Sequence, residues 1–180
     1  DQNWMDVCDE EGMMIFAGRY GRPKHATKTA PPTDFDLSLR TYKEIDLGPF
    51  TPHPSVVIYI LSNEMPYEGK TGDLYREFLT KMCRELKKWD DTRLYIGNTG
   101  YGLGHSGDIY DVHRYWGWYY NTFLTYLNMR DKAMWQNPGR VQPITFTECV
   151  GNYTGIDGRF NLCSRTKQPG SQKCWTGHLR

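Results

Sequence analysis

The sequence predicts an α/β fold in which parallel strands are joined by crossover helices, and three observations carry that prediction. Residues 56–61 are one uninterrupted, β-branched-rich run (Val56, Val57, Ile58, Tyr59, Ile60, Leu61), entered through His53-Pro54 and ended by Asn63, Glu64, Met65 and Pro66, the pattern of a central strand. Leu74, Phe78, Met82 and Leu86 then recur every four residues with Tyr75, Leu79 and Cys83 beside them, which is an amphipathic helix. A new apolar run begins at Leu94, and strand, helix, strand in repeated order signals a parallel sheet. The 180 residues hold one core and are too few for two ordinary domains. A complete (β/α)8 barrel takes roughly 200 to over 400 residues, so the chain is predicted to hold part of one, about five parallel strands.

Taken in order, Trp4, Val7, Cys8 and Glu11 fall at helical spacing, and Gly12 stands where a helix C′ residue belongs. Met13, Met14, Ile15 and Phe16 follow as a short, fully apolar run, which predicts a strand buried on both faces. Residues 18–53 are polar and rich in Gly and Pro, with Pro31-Pro32 and one helical segment near 36–45; they predict a long loop with a helix embedded in it. In the helix after the central strand, Asp73 lies near the start and Lys87-Lys88 in the last turn, where cations favour the dipole. Residues 94–98 and 111–116 read as the next strands, 121–135 as a helix, and 143–148 as a fifth strand. The tail from Gly158 has no steady period and reads as loop, giving a partial barrel over 1–157 and a tail over 158–180.

Composition excludes some partners. With 22 Lys+Arg against 21 Asp+Glu and no basic block, the chain lacks the clustered positive charge that nucleic-acid binding needs. Its longest apolar run covers residues 56–61, far short of the roughly 20 that cross a bilayer, so no membrane span is predicted. Five cysteines, Cys8, Cys83, Cys149, Cys163 and Cys174, include no CxxC pair and read mostly as free buried thiols. The sequence opens at Asp1 with no charged-then-apolar leader, and the triplet Asn152-Tyr153-Thr154 matters for glycosylation only in a secreted protein, so the compartment stays open.

Two carboxylates stand at the ends of apolar strands. A period of two puts Val56, Ile58, Ile60, Ser62 and Glu64 on one face, and Ile144, Phe146 and Glu148 on one face of the last strand. The C-terminal rim of a barrel of this type is where catalytic side chains sit. Charged residues also occur wherever a strand leaves the core, and spacing alone favours that plainer reading. In residues 111–116 the same alternation groups Asp111, His113 and Tyr115, and a phenol there can hold a carboxylate ionised and oriented. Trp116, Trp118 and Tyr119 offer ring faces for the C–H face of a sugar, or ordinary rim packing. His113 is read equally as a contact to a substrate hydroxyl or as a structural histidine; Asn98 is a further polar candidate, and Tyr101 and His105 stand in the following Gly-rich loop. Cys174 and His178 have metal-like spacing but lack two further ligands, and no metal or cofactor is expected.

These residues carry a resemblance. His53 to Val57 with Leu61, Ser62, Asn63 and Glu64 resembles the fourth-strand signature of the retaining (β/α)8 hydrolases, and specifically of glycoside hydrolase family 2. His113 to Tyr119 is similar to that family's sixth-strand motif, Pro143 to Glu148 to its seventh, and residues 4–15 to its second helix and third strand. The resemblance spans roughly residues 1–155 of a TIM-barrel catalytic domain. It implies Glu64 as general acid/base, Asn63 as the neighbour that bonds the sugar 2-hydroxyl, Glu148 as nucleophile and Tyr115 as its contact. A retaining double displacement follows: Glu148 attacks the anomeric carbon, Glu64 protonates the departing oxygen, then deprotonates water. The two carboxyl groups are then expected roughly 5 to 5.5 Å apart, with a carbohydrate as the partner. A non-catalytic sugar-binding relative has no need of both acids, and the run from Tyr115 to Tyr119 favours this family over the mannanases and cellulases of the same clan.

The chain departs from the family pattern at both ends. The family's first two strands, its eighth strand and its flanking β-sandwich domains have no counterpart here, nor do the arginine, the tryptophan and the Asn-x-Lys motif they bring to the sugar. The choice of sugar is therefore open. Five strands leave two unpaired edges, so the segment is expected to be a fragment with little activity alone.

Overall fold

A computed structural model describes residues 2–66, 68–100, 106–113 and 142–148. The chain divides into two compact units, one of Asp1–His113 with Arg130–Thr147 and one of Arg114–Met129 with Glu148–Arg180. All the described residues except Glu148 belong to the first.

Helix α1 (Gln2–Glu11) ends as its glycine predicts. Gly12 takes the left-handed conformation at φ +70°, and the Met13 amide reaches back to the Cys8 carbonyl at 2.9 Å, closing a Schellman turn. The buried face is Met5 and Cys8, while Trp4 and Val7 of the expected stripe are exposed. Strand β1 (Ile15–Gly18) starts two residues later than the apolar run. Met13 and Met14 are 60% and 75% exposed, and Phe16 also reaches the surface, so the strand buried on both faces is corrected. The reason is its place: among the described residues β1 lies at the edge of its sheet.

Helix α2 (Phe35–Thr41) begins at Asp34, whose Oδ1 accepts the Leu37 amide at 2.9 Å as an N-cap. A π-helical turn (Tyr42–Asp46) and a short 3-10 turn (Gly48–Phe50) continue it, giving the predicted loop more regular structure than its composition suggests. Strand β2 (Val56–Ile60) is central, parallel to β1 on one side and to β3 (Leu94–Ile96) on the other, with Tyr59 opposite both Ala17 and Tyr95. Helix α3 (Gly69–Lys87) is the crossover between β2 and β3. It buries Tyr75, Phe78, Leu79, Met82, Cys83 and Leu86, and only Leu74 of the predicted stripe lies outside that face.

Burial on both faces of β2 explains its unbroken apolar run. Tyr59 and Leu61 join the α3 side chains and Tyr95 in the larger core cluster, and Ile58 and Ile60 join Ile96 and Ile109 in a second. Gly18 is required where β1 meets β2: at φ +140°, a Cβ would stand 2.2 Å from the Ile60 carbonyl oxygen. Strands β4 (Tyr110–His113) and β5 (Ile144–Glu148) pair as a separate two-stranded sheet, so the five expected strands form two sheets among the described residues rather than one. The predicted helix at 121–135 and the tail at 158–180 lie outside the described residues, and so do Cys149, Cys163, Cys174, His178 and the Asn152 triplet.

Candidate active site

Strand β2 ends at Ile60, and the chain then runs through Leu61 and Ser62 to Asn63 and Glu64 beside the end of β3. Asn63 bridges to Thr99 in parallel, the Glu64 amide donates to the Thr99 carbonyl at 2.9 Å, and the Asn63 amide donates to the Gly21 carbonyl at 2.9 Å. Glu64 has φ +51°, left-handed backbone that a residue with a Cβ rarely adopts. The period-two argument for its direction therefore stops short of it; the turn, held at both sides, aims the side chain. Such a conformation persists only where its surroundings impose it, and strain of this kind concentrates at functional positions.

Asn98 supplies part of that hold. It is buried, and its Oδ1 accepts the Met65 amide at 2.9 Å and lies 3.0 Å from Ser62 Oγ, bracing the chain on both sides of Asn63-Glu64. Among the described residues its Nδ2 has no hydrogen-bond partner. Asn63 is half-buried, and its Oδ1 accepts from Thr99 Oγ1. Asn98, a further polar candidate from the sequence, thus braces the acidic turn.

Below Glu64 lies a polar network drawn from three segments. The Glu64 side chain is 41% exposed, and its Oε1 is 2.9 Å from His113 Nδ1; the His113 side chain is 3% exposed. His113 Nε2 is 3.1 Å from Thr147 Oγ1, which in turn donates to Asp111 Oδ1 at 2.8 Å. Asp111, fully buried, also accepts from Gly100 N at 2.9 Å, Thr145 Oγ1 at 2.7 Å and Thr147 N at 3.2 Å. A buried carboxylate is tolerated when donors satisfy it, and this one has four among the described residues. The alternation that groups Asp111 with His113 on β4, and Thr145 with Thr147 on β5, brings these pairs together. Gly100 closes the network: its carbonyl accepts the His113 amide at 2.9 Å, and at φ +98° a Cβ there would come within 2.7 Å of His113 Nδ1.

Of the residues the sequence singles out, Glu64, Asn63, Asn98 and His113 thus gather in the first unit. Glu148 is the last residue of β5, half-buried, directly after Thr147. Tyr115, Trp116, Trp118, Tyr119, Tyr101 and His105 lie outside the described residues. The sequence did not point to Gly100, Thr145 or Thr147; the signal for the threonines was their alternation with Ile144 and Phe146 on a strand ending in an acid. Asp6, Asp9 and His53 also offer ligand atoms within 4.8 Å of one another. There Asp9 accepts the Ser55 amide at 2.8 Å and meets His53 Nδ1 at 2.7 Å, clasping α1 to the loop before β2. Burial works to raise the Asp9 carboxyl, but the bonds from Ser55 and His53 outweigh it and hold the group below its usual range. Among the described residues no helix is long and apolar enough to cross a membrane.

No protein-family model matches the chain, and no curated protein matches it. Solved structures do resemble it in fold. A putative β-galactosidase from Bacteroides fragilis is 17% identical with a TM-score of 0.60, over 91% of this chain and 24% of its own. A GH2 β-galacturonidase from Eisenbergiella tayi, bound to galacturonate, is 18% identical with a TM-score of 0.60, over 87% of this chain and 28% of its own. A β-glucuronidase from Parabacteroides merdae is 21% identical with a TM-score of 0.52, over 79% and 18%. The chain thus spans about a fifth to just over a quarter of the enzymes it resembles.

Proposed function

We propose that the chain is part of the catalytic (β/α)8 barrel of a retaining β-glycosidase of glycoside hydrolase family 2, with Glu64 as general acid/base and Glu148 as nucleophile. The observation that carries the reading is Glu64 itself: an acid at the C-terminal end of a central parallel strand, in left-handed backbone, half exposed, with one oxygen against a buried histidine. A solvated charge where a strand leaves its core needs none of that support. The fold shared with β-glucuronidases and β-galactosidases supports the same reading.

In this mechanism Glu148 bonds to the anomeric carbon as Glu64 gives a proton to the departing oxygen, and water, deprotonated by Glu64, then releases the sugar. A retaining mechanism of this kind requires carboxyl groups about 5 to 5.5 Å apart, a separation that leaves no room for the attacking water of an inverting enzyme. Asn63 bonds the 2-hydroxyl, Tyr115 steadies Glu148, and Trp116, Trp118 and Tyr119 wall the sugar. Strands and β-sandwich domains beyond this segment complete the parent enzyme.

The test is hydrolysis of nitrophenyl β-glycosides by the full-length parent enzyme and by its Glu148→Gln and Glu64→Gln variants. Loss of general acid or base assistance typically costs about 10²- to 10⁴-fold. Glu148→Gln should abolish turnover, and Glu64→Gln should lower it within that range and be rescued by azide. Hydrolysis unchanged in Glu148→Gln removes that residue from the nucleophile role.

A further inference from the structure

The polar network fixes where the hydrogens of His113 lie. A threonine hydroxyl has one hydrogen. Thr147 gives it to Asp111 Oδ1, so toward His113 Nε2 its oxygen can only accept, and Nε2 carries a hydrogen. The 2.9 Å contact between Nδ1 and Glu64 Oε1 also needs one hydrogen between the two atoms. If that hydrogen sits on Oε1, the proton of Glu64 is tied to the ring. If it sits on Nδ1, Oε1 accepts it, and Oε2 is left to give and take protons on the exposed side.

We propose that His113 is a positioning residue for Glu64. Asp111 and Thr147 hold a hydrogen on Nε2 in every protonation state of the ring, and an Nδ1–H donated to Oε1 turns Oε2 outward as the oxygen that trades the catalytic proton. The catalytic half of this inference rests on the glycosidase reading above. In the first step the Oε2 proton passes to the glycosidic oxygen as its bond to the anomeric carbon breaks and the Glu148 ester forms. In the second, Oε2 takes a proton from water as the water oxygen displaces Glu148. With a hydrogen on both nitrogens the ring acts as an imidazolium, and its Nδ1 hydrogen stays in place through both steps. Gly100 makes the arrangement possible, because any side chain there would occupy the space of the ring.

Nitrogen-15 NMR of the histidine-labelled chain tests the ring directly. In its neutral form the His113 ring, assigned by the signal lost in His113→Asn, should be the Nε2–H tautomer, and Thr147→Val should release that preference. A neutral ring with its hydrogen on Nδ1 overturns the proposal. Kinetics on phenyl and dinitrophenyl β-glycosides test the consequence, since a dinitrophenolate departs without a proton. His113→Leu should lower kcat/KM, which reports the first step alone, about 10²-fold on the phenyl substrate and only a few-fold on the dinitrophenyl one. His113→Asn, which keeps an N–H donor, should restore most of it. Equal losses on both substrates, or no recovery in His113→Asn, overturn the positioning role even if His113→Leu folds poorly. Failure of the unmodified parent enzyme to hydrolyse either glycoside defeats the glycosidase reading instead, and the ring spectrum still decides the tautomer.

Discussion

Glu64 is the residue at which backbone strain can be separated from chemistry. Replacing it with Ala or Gly removes the carboxylate equally, but only Gly adopts φ +51° without a steric cost. The Gly variant should therefore be the more stable of the two by about 1 kcal/mol in urea denaturation, the penalty of left-handed backbone for a residue with a Cβ. Equal stabilities would mean that the turn relaxes once the side chain is gone. Gly100 gives the opposite test. Gly100→Ala puts a methyl group against the His113 ring at φ +98° and should cost about 1 to 3 kcal/mol. The His113 ring signals should shift in the same variant, because the ring has to move to admit the methyl group.

At the scale of elements, the crossover helix and the strands beside it are joined by Asp90, just past the end of α3. Its Oδ2 accepts from Tyr59 Oη at 3.1 Å and from Arg93 at 2.8 Å, its Oδ1 accepts the Thr92 amide, and its carbonyl accepts from Tyr95 Oη. Burial works to raise this carboxyl, but the Thr92 and Tyr59 bonds and the Arg93 charge outweigh it and hold it below its usual range. A group depressed in the folded state stabilises above its unfolded value, about 3.9, and that stability is lost as pH falls through the folded value. Urea midpoints followed from about pH 5 downward should fall less steeply in Asp90→Asn than in the parent. Packing dominates elsewhere on α3: Leu79 is fully buried, and Leu79→Ala should cost about 2 to 5 kcal/mol by the same denaturation.

For the first unit as a whole, Cys8 and Cys83 report on global opening. Both thiols are free and buried, and burial pushes the Cys83 thiol far up, so it is unreactive as it stands. Alkylation at these two positions, followed by mass spectrometry, should be negligible in the native chain and rise with urea along the unfolding transition. Labelling well below that transition would show α1 or α3 detaching on its own.

What the sequence determined by itself was carried by short-range pattern. The four-residue recurrence named α3, the unbroken β-branched run named β2 as central, and Gly12 named the end of α1, because periodicity and left-handed backbone are local properties of the chain. Alternation also placed Asp111 and His113 on one face of β4. Tertiary structure alone decided which apolar residues are covered: Met13 and Met14 read as core and lie exposed, since burial depends on which strand stands next to β1. It also decided the site's support. The left-handed turn at Glu64, the brace from Asn98 and the chain of bonds from Glu64 through His113 and Thr147 to Asp111 join residues up to 83 positions apart, and no local pattern encodes a contact between segments that only folding brings together.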